Sequence, residues 1–330
     1  MMGEFKEIKE HLITYNPAGS DSEYVKAEGV YYYDADGNKY LCFNEISLSL
    51  GFGHPKFTKG VSERILTKMM AHGGSVSKEK DKMIGRIMEK THGDFDKFFM
   101  AASGGEVVDW SLKIARRVTG RDGIVSFHNA LHGRSFAGAF ISGTPLRKEG
   151  FGSGLSNIYF MDFPGDGRQK DESLAAFSDV AAVIIEPYQA IGGMRSPSKE
   201  YYRWLRAYTR EHGILLIMDE VQTGFGKTGS LFAYEESGIV PDILLLGKGM
   251  SNGFGLGALL MTKEVGSFIK PFEMSGGSAD NDFMCSVVNL VLDIFEEEEI
   301  VAHTKKAGAF FREKLYEIFK AKGIPLTIHG

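Results

Sequence analysis

Through the middle of the chain, short runs of almost wholly apolar residues alternate with longer stretches in which apolar residues recur every three or four positions. The runs Lys97–Ala101, Gly123–Phe127, Asn157–Met161, Ala182–Ile185, Ile214–Met218, Asp242–Leu246 and Leu256–Met261 predict strands. Several lack polar alternation, which predicts burial on both faces of a mostly parallel sheet. Between them, Glu106–Val118 and Lys199–His212 have helical spacing. The alternation therefore predicts an open α/β sheet flanked by helices, with ligands at the carboxyl ends of its strands. Nearer the amino terminus, residues 28–42 predict short strands around a turn at Asp36-Gly37-Asn38, and residues 56–91 predict two helices. After Asn281 two long helices are expected, at about 283–298 and 300–321, followed by the start of an apolar strand at Pro325–Gly330. The acidic run Glu296–Glu299 reads as a solvated helix face.

Composition narrows the class of function. With 330 residues, 43% hydrophobic and 25% charged, the chain is neither disordered nor fibrous and has room for a large domain and a smaller one. A net charge of −5 lacks the basic excess of a nucleic-acid binder, so a small-molecule partner is expected. Two cysteines, Cys42 and Cys285, are too few for a disulfide framework or a cysteine-built zinc site, and a reducing, cytoplasmic setting is expected. No apolar run approaches the roughly 20 residues of a membrane helix, and the first residues lack the apolar core of a signal peptide.

Chemistry concentrates at strand ends. Met218-Asp219-Glu220-Val221-Gln222-Thr223-Gly224-Phe225-Gly226-Lys227-Thr228-Gly229 carries carboxylates and an amide from an apolar strand into a glycine-rich loop. Asp219 alone also fits a turn cap. Gly226-Lys227-Thr228 imitates the end of a P-loop, but Val221 stands where that motif needs its first glycine. Gly253-Phe254-Gly255-Leu256-Gly257 imitates a dinucleotide fingerprint, but a strand follows it instead of a helix. Lys248 ends an apolar strand between Gly247 and Gly249, where desolvation favours a nucleophilic amine. A lysine that merely snorkels outward is the open alternative for that segment alone. Ser103-Gly104-Gly105-Glu106 opens a helix and fits both a phosphate cup and a capping box.

Together, the Asp219–Gly229 segment, Pro241-Asp242-Ile243 leading to Lys248, and Glu186-Pro187 resemble the class III, fold-type-I pyridoxal-phosphate aminotransferases from about Val25 onward. The resemblance implies an α/β fold with a mostly parallel central sheet and flanking helices. Residues 1–47 would contribute to a small domain, 48–280 would form the large cofactor-binding domain, and 281–330 would be a linking helix and the incomplete start of a carboxyl-terminal small domain. It implies Lys248 as Schiff-base anchor and proton shuttle, and Asp219 as partner of the pyridine nitrogen. Val221 would pack on one ring face, with Leu131 and His132 on the other, and Gln222 would reach the ring hydroxyl. Gly104 and Gly105 would hold the phosphate, and Glu186 would be a nearby carboxylate. The implied partners are an amino donor, an oxo-acid acceptor and a second subunit in a homodimer whose sites lie at the interface.

Four departures accompany the resemblance. Leu131 replaces the usual aromatic residue. No threonine occurs in Ser275–Asn281, leaving Ser278 or Ser275 as substitutes for one that reaches the partner's phosphate. Ile191 replaces a second glutamate, against ornithine-type donors. The chain also stops before the family's carboxylate-gripping arginine, as expected of a fragment or of a partly lost substrate site. A decarboxylase or racemase on the same scaffold, and a catalytically silent cofactor binder, are the alternatives.

Overall fold

The computed structural model describes residues 11, 23–43, 45–70, 74–145, 148–165, 168, 170–270 and 273–329. The chain divides into two compact units, Met1–Glu45 with Leu50–Pro55 and Ile46–Ser49 with Lys56–Gly330. In the first unit, β1 (Tyr24–Glu28), β2 (Tyr31–Asp34) and β3 (Lys39–Leu41) form an antiparallel sheet. Tyr24, Tyr32 and Tyr40 meet on one face of it, with ring centroids 4.6 Å and 5.4 Å apart along the row. The β2–β3 turn falls at the expected Asp36-Gly37-Asn38. Asp34 clasps it, accepting from Asn38 N at 2.8 Å and Tyr40 Oη at 2.8 Å. Strand β1 lies just ahead of the expected segment. All of its residues are exposed, so it has no apolar run by which to be recognised.

The second unit contains a seven-stranded sheet among the described residues, ordered β4-β10-β9-β8-β7-β5-β6. Its strands are β4 (Lys97–Ala101), β5 (Gly123–Phe127), β6 (Ile158–Met161), β7 (Val180–Ile185), β8 (Leu215–Glu220), β9 (Ile243–Gly247) and β10 (Gly257–Met261). From β9 through β6 the pairing is parallel, and β10 runs antiparallel to both β9 and β4. The seven strands expected between Lys97 and Met261 are all present, displaced by no more than two residues at an end. Strands β5, β7, β9 and β10 are buried throughout, which accounts for their near-continuous apolar sequence.

From Pro55 onward the α-helices among the described residues are α1 (Pro55–Thr67), α2 (Lys78–Lys90), α3 (Gly104–Thr119), α4 (Phe136–Ile141), α5 (Lys199–Glu211), α6 (Tyr234–Ser237), α7 (Lys263–Gly266), α8 (Asp282–Glu297) and α9 (Ile300–Ala321). α3 presses Val107, Val108, Leu112 and Ala115 onto the core of the sheet. None of the described helices is long and apolar enough to cross a membrane.

One expectation changes. Residues 324–329 form no strand; no described strand pairs with them, and a lone strand would leave its N–H and C=O groups without a ladder. The acidic run is a solvated face, as expected: Glu296–Glu299 are all exposed, and their ion pairs, Glu296 with Arg86 at 3.0 Å and Lys56 with Glu297 at 2.9 Å and Glu298 at 3.0 Å, lie at the surface.

Candidate active site

Because β7, β8 and β9 are parallel neighbours, their carboxyl ends deliver Glu186, Asp219 and Lys248 to one edge of the sheet. The β4–α3 turn adds Gly104 and Gly105, and the segment after β5 adds Leu131 and His132. A cleft of about 540 Å³ is lined by these residues together with Val221 and Gln222. Ser278 is elsewhere, exposed in the turn before α8, where its carbonyl accepts from Asn281 Nδ2 at 2.7 Å. Ser275 lines a separate cavity of about 350 Å³. Ile191 is exposed and is not among the residues lining the cleft.

Lys248 sits at φ 40°, in the left-handed region that side chains other than glycine rarely adopt. Such backbone costs on the order of 1–3 kcal/mol and is held in place by its surroundings. Its Nζ donates to Gln222 Oε1 at 2.6 Å. Gln222 in turn belongs to a loop fixed at both ends by Glu220. The fully buried Glu220 carboxylate accepts from the backbone N–H of Ala233 and of Tyr234, each at 2.6 Å, and its carbonyl accepts from Gly224 N at 3.0 Å. Burial pushes Glu220 up to about 8, against the pull of those two N–H bonds.

Asp219 faces the cleft with both oxygens engaged, Oδ2 with His132 Nδ1 at 2.7 Å and Oδ1 with Val221 N at 3.1 Å. The turn-capping role and the site position thus coexist. Burial opposes charge on His132, but the bond to Asp219 and its negative charge outweigh burial and hold the imidazole above its ordinary pKa. Glu186 is 7% exposed and accepts Leu131 N at 3.2 Å; burial raises it to about 7 although His132 pulls it down.

Ser103 caps α3, its Oγ accepting from Glu106 N at 3.1 Å, while Glu106 Oε2 accepts from Ala102 N at 3.0 Å. The first-turn amides of Gly104 and Gly105 have no carbonyl one turn back to bond, which suits an anion. A side chain at Gly104 would come within 2.6 Å of Val221 Cγ1, so glycine there lets Val221 stand against the cup.

The set fits a phosphate-bearing aldehyde cofactor. It offers an amine, an anion cup, and a buried carboxylate backed by an imidazole whose pKa that carboxylate raises. Two buried polar atoms without a hydrogen-bond partner, His132 Nε2 and Thr223 Oγ1, belong to residues lining the same cleft. Thr223 and Tyr188 went unrecognised as lining residues in the sequence, although each lies within two residues of a recognised motif position.

The family model for class-III aminotransferases matches residues 15–330. This chain belongs to that family. The acetylornithine aminotransferase of Bacillus subtilis is 31% identical over 297 residues, spanning 89% of this chain and 76% of that relative. The 5-aminovalerate aminotransferase of Pseudomonas putida is 34% identical over 315 residues, spanning 90% of this chain and 74% of that relative. The solved amine transaminase from an uncultivated Pseudomonas species, in its PLP-bound form, matches with a TM-score of 0.83 at 25% identity, covering 93% of this chain and 80% of that one. The class III aminotransferase is accordingly a pyridoxal-phosphate-dependent enzyme of the expected fold type.

Proposed function

We propose that this aminotransferase takes the amino group of a primary amine or amino acid and passes it to a 2-oxo acid, with Lys248 both anchoring the cofactor and moving the proton. Pyridoxal phosphate supplies the electron sink that makes a C–H bond beside the amine acidic. The chain's own residues do the rest. Gly104 and Gly105 receive the phosphate with their first-turn amides. Asp219, held in place by His132, would keep a proton on the ring nitrogen. Val221 and Leu131 would fix the ring between them, and Gln222, the hydrogen-bond partner of the Lys248 amine, would hold that amine in the cleft for the cofactor's aldehyde. Lys248 Nζ, released, then accepts and returns the substrate proton. Ser278, exposed and not among the residues lining its own chain's cleft, is free to face a second subunit in a homodimer. The composition and paired absence of disulfides support a cytoplasmic location.

The observation that carries this proposal is the position of Lys248, strained at the end of β9 and bonded to Gln222 in the cleft that also holds the Asp219–His132 pair and the α3 cup. The family match and its aminotransferase relatives favour transamination over the decarboxylase and racemase alternatives. A panel of amines and amino acids supplied with pyruvate or 2-oxoglutarate tests it. The expected result is an aminated acceptor in equal amount to the carbonyl product from the donor. Release of carbon dioxide or inversion of the donor without acceptor amination would contradict it.

A further inference from the structure

Beside the cleft lies a second cavity of about 300 Å³, walled by Pro187, Ser196, Pro197, Tyr202 and Glu236 among others. Among the described residues, Tyr188 alone lines both spaces. Its chain position explains this: β7 delivers Glu186 into the cleft, and Tyr188 follows two residues later, beyond the buried Pro187. The phenol is pinned at its far end. Tyr188 Oη donates to Glu236 Oε2 at 3.2 Å, and Glu236 Oε1 accepts from Ser230 Oγ at 2.8 Å and Thr228 Oγ1 at 3.4 Å. A half-buried ring held at its hydroxyl by an anchored carboxylate is a fixed partition. It cannot swing aside without leaving Glu236 short of a donor in a partly buried setting.

We infer that Tyr188 sets the size limit of the amino donor: its ring closes the cleft off from the neighbouring cavity, and the donor's side chain ends against it. The inference rests on the aminotransferase function proposed above. Compact aliphatic donors fit the cleft as it stands. Donors with a branched or aromatic group need the space behind the ring.

The test uses the holoenzyme and a graded series of primary amines, from propylamine to 4-phenylbutylamine, with pyruvate as acceptor. Tyr188→Ala and Tyr188→Leu open the partition, whereas Tyr188→Phe keeps the ring and loses only the hydroxyl. The kcat/KM ratio of the bulkiest to the smallest amine is expected to rise by about 10-fold or more in Tyr188→Ala, the scale on which pocket volume discriminates. A smaller rise is expected in Tyr188→Leu and a ratio within about twofold of the wild type in Tyr188→Phe. Should Tyr188→Ala fail to fold, Tyr188→Leu decides alone. An unchanged ratio in the folded opening variants overturns the inference, as does a rise in Tyr188→Phe equal to theirs. Failure of the functional proposal looks different: the wild type then gives no visible band with pyridoxal phosphate and aminates no acceptor with any amine.

Discussion

The two ends of β9 take charge out of water in opposite ways. Just ahead of the strand, Asp242 is met by Arg206 of α5 with two bonds of 2.6 Å each, and a further 2.7 Å bond comes from Leu216 N. This is a bidentate, charge-matched pair whose side chains are no more than 12% exposed. Just after the strand, Lys248 meets an amide oxygen in strained backbone, and Glu186 is held by one backbone N–H. Matched charge at the first end fixes the packing of α5 on the sheet. At the second end Lys248 and Glu186 both line the cleft, where a ligand would meet them. The same strand thus separates a stabilising end from a reactive one.

The largest expected effect breaks the reactive end alone. Lys248→Ala should abolish the visible band formed with pyridoxal phosphate and lower amino transfer by about 10⁴-fold or more, the loss of anchor and proton carrier together. Its thermal midpoint should stay close to the wild type. Next, Arg206→Met should leave Asp242 a buried, poorly compensated carboxylate and cost roughly 3–5 kcal/mol in urea unfolding. Cofactor binding by the folded fraction should persist. If Arg206→Met spared stability and suppressed activity, the division between the two ends would be wrong.

Glu186→Gln sharpens the contrast through pH. The folded pKa of Glu186, about 7, lies above its ordinary 4.5, so between those values the unfolded chain releases a proton that the folded chain keeps. Stability contributed by this group is therefore complete below about pH 4.5 and is lost as pH rises toward 7. In the cofactor-free protein, Glu186→Gln should match the wild type near pH 4 and exceed it by up to about 3 kcal/mol at pH 8 in urea titrations. Glu220, raised in the same direction, leaves a residual slope in the variant. The smallest effect is expected from Leu131→Tyr, which restores an aromatic ring to the wall of the cleft and should tighten cofactor binding by about 1 kcal/mol in equilibrium dialysis.

Much of the sheet was legible because a strand buried on both faces has to be apolar, and Ile243-Leu244-Leu245-Leu246 shows this in its purest form. The helix start at Ser103 was legible because capping is local and leaves a fixed spacing. Legibility ended where partners are distant in the chain. Arg206 and Asp242 are 36 residues apart, and nothing in either segment announces their pairing. The φ of Lys248, the clamp of Glu220 on Ala233 and Tyr234, and the position of Tyr188 between two cavities depend on how β7, β8 and β9 align. That alignment belongs to the packed sheet, and no single segment records it.

The central claim is that Lys248 is the amine that carries the cofactor. Borohydride reduction of the wild-type protein with pyridoxal phosphate, followed by peptide mass spectrometry, tests it most directly. A phosphopyridoxyl group is expected on the peptide containing Lys248 in stoichiometric amount. Stoichiometric label on another lysine, or none on any, would contradict the account.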